Sequence, residues 1–321
     1  MKVLIIGAAG MIGRKLSERL AVQDGIESVS LHDVVTPVAP PSSIPFTVET
    51  SDLGEAGAIE RVLAGRPDVI FHLAAVLSGE AESDFEKGYR VNLENTRALF
   101  EAIRLAGDGY RPRVVFTSTI AVFGKPFPPQ IPDDFLSAPL TSYGTAKAMA
   151  ELMLSDYSRR GYLDGLAIRL PTICVRPGRP NKAASGFYSN IIREPLNGEE
   201  AVLPVPESIR HWFASPRSAV NFLLKAATLD SSVLGDRRNL NMPGLSCTVG
   251  EQIAALRKVA GDSVAARIRR KPDEAILKIV EGWPENFDTQ RANALGFHAE
   301  TTFDEIVKIH IEDELGGTFV P

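Results

Sequence analysis

Apolar runs of strand length, alternating with amphipathic stretches of helical length, constrain this chain more than any single residue does. They run in the order KVLIIGA, MIGRKLSERLAVQ, ESVSLHD, GAIERVLAGR and DVIFHLAA, which is the βαβ rhythm of a parallel sheet. VLIIG and RVVFTST (113–119) read as buried on both faces, so helices must cover the sheet above and below. The expected fold is α/β, a Rossmann-type doubly wound parallel sheet with a smaller C-terminal substrate-binding lobe. Helices are expected over 86–106 and 143–160 on either side of RVVFTST, with GLAIRLP (165–171) as the next strand. After Pro171 the rhythm breaks, and Pro177, Pro180, Pro195, Pro204 and Pro206 punctuate short elements. The domain that holds the sheet is therefore expected over 1–171, with about 210–245 returning to it. The small lobe is expected over 172–209 and about 246–321, and further helices over 216–229, 249–260 and 302–314.

A chain of 321 residues that is 44% hydrophobic can bury a large core. Its net charge of -5, without blocks of like charge, argues against nucleic acid or an anionic membrane as partner, because both reward extended basic surface. Cys174 and Cys247 lack Cys-x-x-Cys spacing, so neither a disulfide framework nor a metal site is expected and a reducing cytoplasm fits. MKVLIIGAAG superficially resembles a short signal peptide, but Gly7 and Gly10 interrupt it and it leads into a helical pattern. No run approaches membrane-spanning length.

GAAGMIG follows the first strand directly and opens a helix, with Gly7, Gly10 and Gly13 at the spacing of a dinucleotide turn. Such a turn needs a tight bend, close approach of backbone to a pyrophosphate, and close helix packing. The opening amides of the helix, at Met11 and Ile12, then face the phosphates. The alternative is a tight turn without a ligand. Twenty residues past Gly13, Asp33 ends the second strand, where a carboxylate accepts from both adenosine ribose hydroxyls. Val34, Val35 and Thr36 supply no cation for a 2′-phosphate, so NAD is favoured over NADP. Asp52, followed by Leu53, is a candidate for the adenine end; a helix cap is the alternative.

TSYGTAKAMAELM places Tyr143 and Lys147 four apart on one helix face. A free tyrosine titrates near ~10, and a neighbouring ammonium favours its phenolate, which makes it a general base. Ser118 and Thr119 end the preceding strand with hydroxyls that can meet a substrate oxygen.

With these motifs go HLAA (72–75), VNLENT (91–96), STIAVFG (118–124) and DTQRANALGF (288–297). Together they resemble the extended short-chain dehydrogenases/reductases, the superfamily that includes nucleotide-sugar epimerases, over essentially the whole chain. The resemblance implies Thr119, Tyr143 and Lys147 as the catalytic set. It also implies a cofactor lined by Leu73, Ala74, Ala75 and Pro171, with Asn92 ordering the site. A helix cap or kink at Asn92, and a merely buried strand end at HLAA, are the structural alternatives. The helices 86–106 and 143–160 resemble those that pair across a two-fold axis in the superfamily, implying a homodimer; the alternative is burial of their apolar faces within one subunit.

The substrate expectation turns on CVRPGRPNKAASGFY (174–188) and its cations Arg176, Arg179 and Lys182. Arg210 stands roughly where nucleotide-sugar enzymes of the superfamily carry a phosphate-binding arginine, but PVPESIR before it and Arg217 after it depart from their pattern. Residues 169–205 instead resemble the D-erythronate dehydrogenases, implying oxidation of the C2 hydroxyl of a four-carbon sugar acid. An arginine, Arg176 first and Arg210 second, would clamp the carboxylate through two hydrogen bonds. Arg179 and Lys182 read as loop charges, His211 and Trp212 as pocket wall or packing, and Ser78 as a hydroxyl contact or an ordinary loop serine.

Overall fold

The structure is a computed structural model and describes residues 1–178 and 184–321. Arg179 and Lys182 lie outside the described residues.

The chain begins β1 (Lys2–Ile6), α1 (Met11–Leu20), β2 (Ser28–Asp33), β3 (Phe46–Thr50), α2 (Ala58–Leu63) and β4 (Val69–His72). There follow α3 (Ser78–Ser83), α4 (Phe85–Tyr89), a π-turn (Arg90–Glu94), α5 (Asn95–Leu105), β5 (Arg113–Thr119), α6 (Ser142–Arg159) and β6 (Asp164–Leu170). Next come β7 (Thr172–Ile173), α7 (Gly186–Leu196), β8 (Ala201–Leu203), β9 (Arg210–Ala214), α8 (Pro216–Thr228), β10 (Asn239–Asn241) and β11 (Leu245–Thr248). The chain closes with α9 (Val249–Ala260), α10 (Asp262–Ala265), β12 (Ile268–Arg270), α11 (Glu274–Val280), α12 (Gln290–Ala294) and α13 (Phe303–Leu315).

Two compact units result, one of residues 1–122, 139–169 and 220–240, the other of 123–138, 170–219 and 241–321. The first contains the Rossmann-type sheet of seven strands, ordered β10-β6-β5-β4-β1-β2-β3, with parallel pairing of β1 with β2 and β4, of β2 with β3 and of β4 with β5. The order reverses between β1 and β4, the switch point at which open α/β sheets bind ligands beyond their strand ends. Leu4, Ile6, Ile70, Val114 and Phe116 are fully buried on one face, packed against Leu99, Phe100 and Ile103 of α5 and Ala150 and Leu154 of α6. Continuous apolar strands thus meet helices at helical spacing, as the sequence pattern requires.

The helix expected over 86–106 is present in three pieces, α4, the π-turn and α5. Thr96 Oγ1 donates back to the Asn92 carbonyl at 3.0 Å, so a side chain competes for a carbonyl of the helical ladder. α6 begins under a clear cap, the Thr141 hydroxyl accepting from the Gly144 amide at 3.0 Å.

The second unit has its own core around Tyr188, Ile191, Phe213, Leu256 and Ile306. Its small sheets run β11-β9-β7 and β12-β8. Arg217, at the start of α8, forms ion pairs with Glu312 (2.9 Å) and Asp313 of α13.

Candidate active site

Because β2, β1, β4 and β5 are parallel, the residues that leave their C-terminal ends, Asp33, Gly7, Leu73 and Thr119, share one edge of the sheet. A cleft of about 490 Å³ opens there, lined by Gly7, Gly10, Asp33, Asp52, Leu53, Leu73, Ala74 and Ala75 among others. The fold explains two of the three turn glycines. A Cβ on Gly7, whose φ is +94°, would stand 2.6 Å from the Ala74 amide nitrogen, and one on Gly13 would stand 2.3 Å from the Gly7 carbonyl oxygen. A Cβ on Gly10 would meet nothing nearer than 3.4 Å, so the protein itself does not demand that glycine. α1 starts at Gly10 without a side-chain cap and without an acidic residue in its first turn, leaving the Met11 and Ile12 amides available to an anion.

Asp33 accepts from the Ala9 amide at 2.9 Å and the Val35 amide at 3.3 Å, one on each oxygen, so each oxygen keeps acceptor capacity for a ribose hydroxyl. Asp52 does not cap a helix. It closes a turn onto the Gly54 amide (2.9 Å) and takes Arg90 (2.7 Å) and Asn95 (3.2 Å). The Gly54 amide first, and then Arg90, hold its carboxyl below the usual carboxylate range. Arg90 and Asn95 line the cleft beside it and were not anticipated from sequence, although they flank Asn92 within three residues. The cradle, the open Gly10 and the aspartate at the second strand end fit an adenine dinucleotide.

Asn92 is buried in the π-turn, and its carboxamide both accepts from the Val76 amide (2.8 Å) and donates to the Val76 carbonyl (2.9 Å). Its effect on the cleft is therefore exerted by fixing the turn from Leu73 to Val76. His72 Nε2 lies 2.9 Å from Thr96 Oγ1, whose own proton goes to the Asn92 carbonyl, so His72 carries its proton on Nε2.

Thr119 and Tyr143 are both half-buried, and Lys147 is 1% exposed. Gly144 brings α6 against the segment after β5: a Cβ there would stand 2.2 Å from the Ala121 carbonyl oxygen. The Thr119 hydroxyl accepts from the amide of that same Ala121 at 3.1 Å. Lys147 Nζ donates to the Thr117 carbonyl at 2.8 Å and lies 4.4 Å from the Phe116 ring centroid and 6.0 Å from that of Tyr143. Burial pulls the Lys147 ammonium down to about 7, opposed by Glu151.

Ser118 requires a correction. It is 3% exposed and donates at 2.5 Å to the buried Glu151 carboxylate, so its hydroxyl is not presented to a substrate beside Tyr143. Neighbouring strand residues face opposite sides of a sheet, so Ser118 and Thr119 could not both face one ligand. Ser78 is half-buried as the first residue of α3.

The NAD dependent epimerase/dehydratase family model matches residues 3–227. The chain belongs to that family. It is 45% identical to a D-erythronate dehydrogenase of Cupriavidus necator over 98% of both chains. It is 40% identical to a D-erythronate dehydrogenase of Haemophilus influenzae over 98% of this chain and all of the relative. Among solved structures, a protein described as the nucleoside-diphosphate-sugar epimerase from Agrobacterium tumefaciens superposes with a TM-score of 0.96 at 61% identity, covering 99% of this chain and 95% of that one. The GalE-like L-threonine dehydrogenase from Cupriavidus necator, in holo form, gives 0.86 at 26% identity, over 98% and 99%.

The remaining candidates of this epimerase/dehydratase family member lie in the second unit. Pro171 is a buried residue between β6 and β7. Arg176 donates through Nε to the Ile173 carbonyl (3.0 Å) and through its terminal nitrogen to Ser185 Oγ (3.2 Å). Arg210 donates to the Ser246 carbonyl (3.0 Å) and pairs with Glu251 at 3.3 Å, tying β9 to β11 and α9. His211 stacks on Tyr188 at 5.4 Å, with Nδ1 3.0 Å from the Pro284 carbonyl and Nε2 2.7 Å from the Thr172 hydroxyl. The carbonyl can only accept, so Nδ1 carries the proton and Thr172 donates to Nε2. Trp212 donates to the Met242 carbonyl at 3.2 Å. Both aromatic side chains are buried as packing.

Proposed function

We propose that this protein is an NAD-dependent dehydrogenase that oxidises the C2 hydroxyl of a four-carbon sugar acid, D-erythronate, to 2-oxo-tetronate. The observation that carries the reading is the near-full-length likeness to two D-erythronate dehydrogenases, and the residues at the end of β5 supply a chemistry consistent with it. Gly7, Gly10, Gly13, the Met11 and Ile12 amides and Asp33 would hold the cofactor, with Asp52 and Leu53 toward its adenine end. When bound, NAD accepts the hydride from C2.

Tyr143 takes the proton of the C2 hydroxyl, and Thr119 fixes that oxygen by a hydrogen bond. The Lys147 ammonium favours the phenolate and holds the nicotinamide ribose; its burial makes its charge count for more than it would in water. Arg176, which follows the end of β6 by few residues, takes the carboxylate first and Arg210 second; both guanidinium groups also donate within the second unit, Arg176 to Ile173 and Ser185 and Arg210 to Ser246 and Glu251. Gripping that end settles which face of C2 is presented. Leu105 on α5 and Leu152 on α6 are exposed, and these helices are proposed to pair two copies of the chain. Sedimentation as a monomer at assay concentration would overturn the dimer.

The test supplies purified protein with NAD and a panel of four-carbon aldonates and follows NADH. Turnover of D-erythronate is expected, and no NADH from any member would overturn the reading. A nucleotide-sugar epimerase, as the Agrobacterium tumefaciens protein is described, would instead convert UDP- or GDP-sugars without net NADH.

A further inference from the structure

One turn beyond Lys147, α6 carries a second buried ionisable residue. Glu151 is 2% exposed and accepts from Arg169 Nε at 2.9 Å, from the terminal nitrogen of Arg169 at 2.7 Å, from Ser118 Oγ at 2.5 Å and from Asn239 Nδ2 at 2.9 Å. A buried ion pair of this kind brings little net stability over apolar residues of equal volume, so its presence here calls for another reason. Its place in the fold supplies one. Lys147 donates to the carbonyl of Thr117 while Glu151 accepts from the hydroxyl of Ser118, so adjacent residues of β5 hold adjacent turns of α6. Residues four apart face the same side of a helix, which puts the carboxylate and the ammonium on one face of α6.

Among the described residues around Lys147, Glu151 is the negative group that acts on it. From α6 come Tyr143 and Glu151, and from β5 the Thr117 carbonyl and the Phe116 ring. His72 of β4 interacts electrostatically with Lys147 but stays neutral, its burial lowering it to about 3. Arg169 of β6 is the countercharge to Glu151. Burial alone disfavours the ammonium, and Glu151 is what raises it.

We propose that Glu151 is a positioning residue of the reaction: held by Arg169, Ser118 and Asn239, its carboxylate supplies the fixed negative charge that keeps Lys147 an ammonium. The proposal rests on the reading of Tyr143 and Lys147 as the catalytic pair. It is tested on the ligand-free protein with ¹³C-labelled lysine, following the Lys147 resonance, identified by its loss in K147M, as a function of pH. Removing Glu151 alone would strand a buried guanidinium, so the informative variant is E151Q/R169Q, with E151Q/R169M carrying the same test should the amide pair not fold.

In the double variant the Lys147 midpoint should fall by about one pH unit, a tenfold change in ionisation. The alkaline limb of kcat/KM for NADH formation should move to lower pH with it. E151D disturbs the same hydrogen bonds but keeps the charge, and should leave the midpoint at its wild-type value, which a merely structural role would not. An unchanged midpoint in a folded double variant overturns the proposal. If Y143F and K147M retain full NADH production, the catalytic reading itself fails; if they lose it while the midpoint stays put, only the role of Glu151 fails.

Discussion

A methyl group at Gly13 would press on the Gly7 carbonyl oxygen at 2.3 Å, whereas one at Gly10 would touch nothing closer than 3.4 Å. Gly13→Ala should therefore destabilise the protein by about 1–3 kcal/mol through overpacking. Gly10→Ala should unfold at the wild-type temperature and yet lose NAD affinity, because its methyl group would occupy the space a pyrophosphate needs. Thermal melts with and without NAD check both; an unchanged NAD-induced shift in G10A would contradict the placement of the phosphates. The spacing of these glycines, and of Asp33 beyond them, was legible in the sequence because covalent geometry alone fixes where a strand-turn-helix places them. The environment of Ser118 was not, since its hydroxyl is aimed by the Glu151–Arg169 pair, which joins residues distant along the chain.

Between the cleft and the sheet, the elements α4, π-turn and α5 act through Asn92. Its carboxamide secures both backbone groups of Val76, and removing it leaves a buried amide and carbonyl unpaired, at a cost of about 1–3 kcal/mol for each. Asn92→Ala should accelerate hydrogen exchange at the Val76 amide and raise KM for NAD, while Tyr143 and Lys147 remain in place. Val76 protection equal to wild type would show that the turn needs no such clamp. The apolar periodicity of 86–106 announced a helix but not its π-turn, where the Thr96 hydroxyl takes the Asn92 carbonyl and the Asn92 side chain bonds Val76 in the turn after β4, contacts that apolar spacing does not encode. The close approach of α6 at Gly144 was equally hidden, although YGTAK contained the residue that permits it.

For the whole molecule, buried histidines set the acid side of stability, burial lowering His32 in the same direction as His72 and His211. Burial lowers His72 and His211 from 6.5 to about 3. As pH drops through 6.5 their unfolded forms take up a proton that the folded forms refuse until about 3, so stability is lost across that window, by about 1.4 kcal/mol per pH unit for each. Lys147 acts with the same sign at higher pH: the unfolded lysine keeps its proton up to 10.5 while the buried one releases it near 7, so stability rises between those values. Urea midpoints should therefore climb from pH 5.5 to pH 7.5, and a flat profile would show that neither His72 nor His211 is held neutral. Alternating apolar runs made the doubly wound parallel sheet legible at this scale, whereas the short strands of the second unit pair across long separations, β11 with β9 and β12 with β8, that local pattern does not encode.

In the proposed reaction a hydrogen leaves C2 of a four-carbon sugar acid for NAD and does not return to the sugar. D-erythronate deuterated at C2, incubated with the protein and NAD and followed by mass spectrometry, tests it most directly. Deuterium is expected in released NADH together with an unlabelled 2-oxo acid, both lost in the Tyr143→Phe variant. Deuterium that remains on the sugar acid, with no label in the nucleotide, would contradict it.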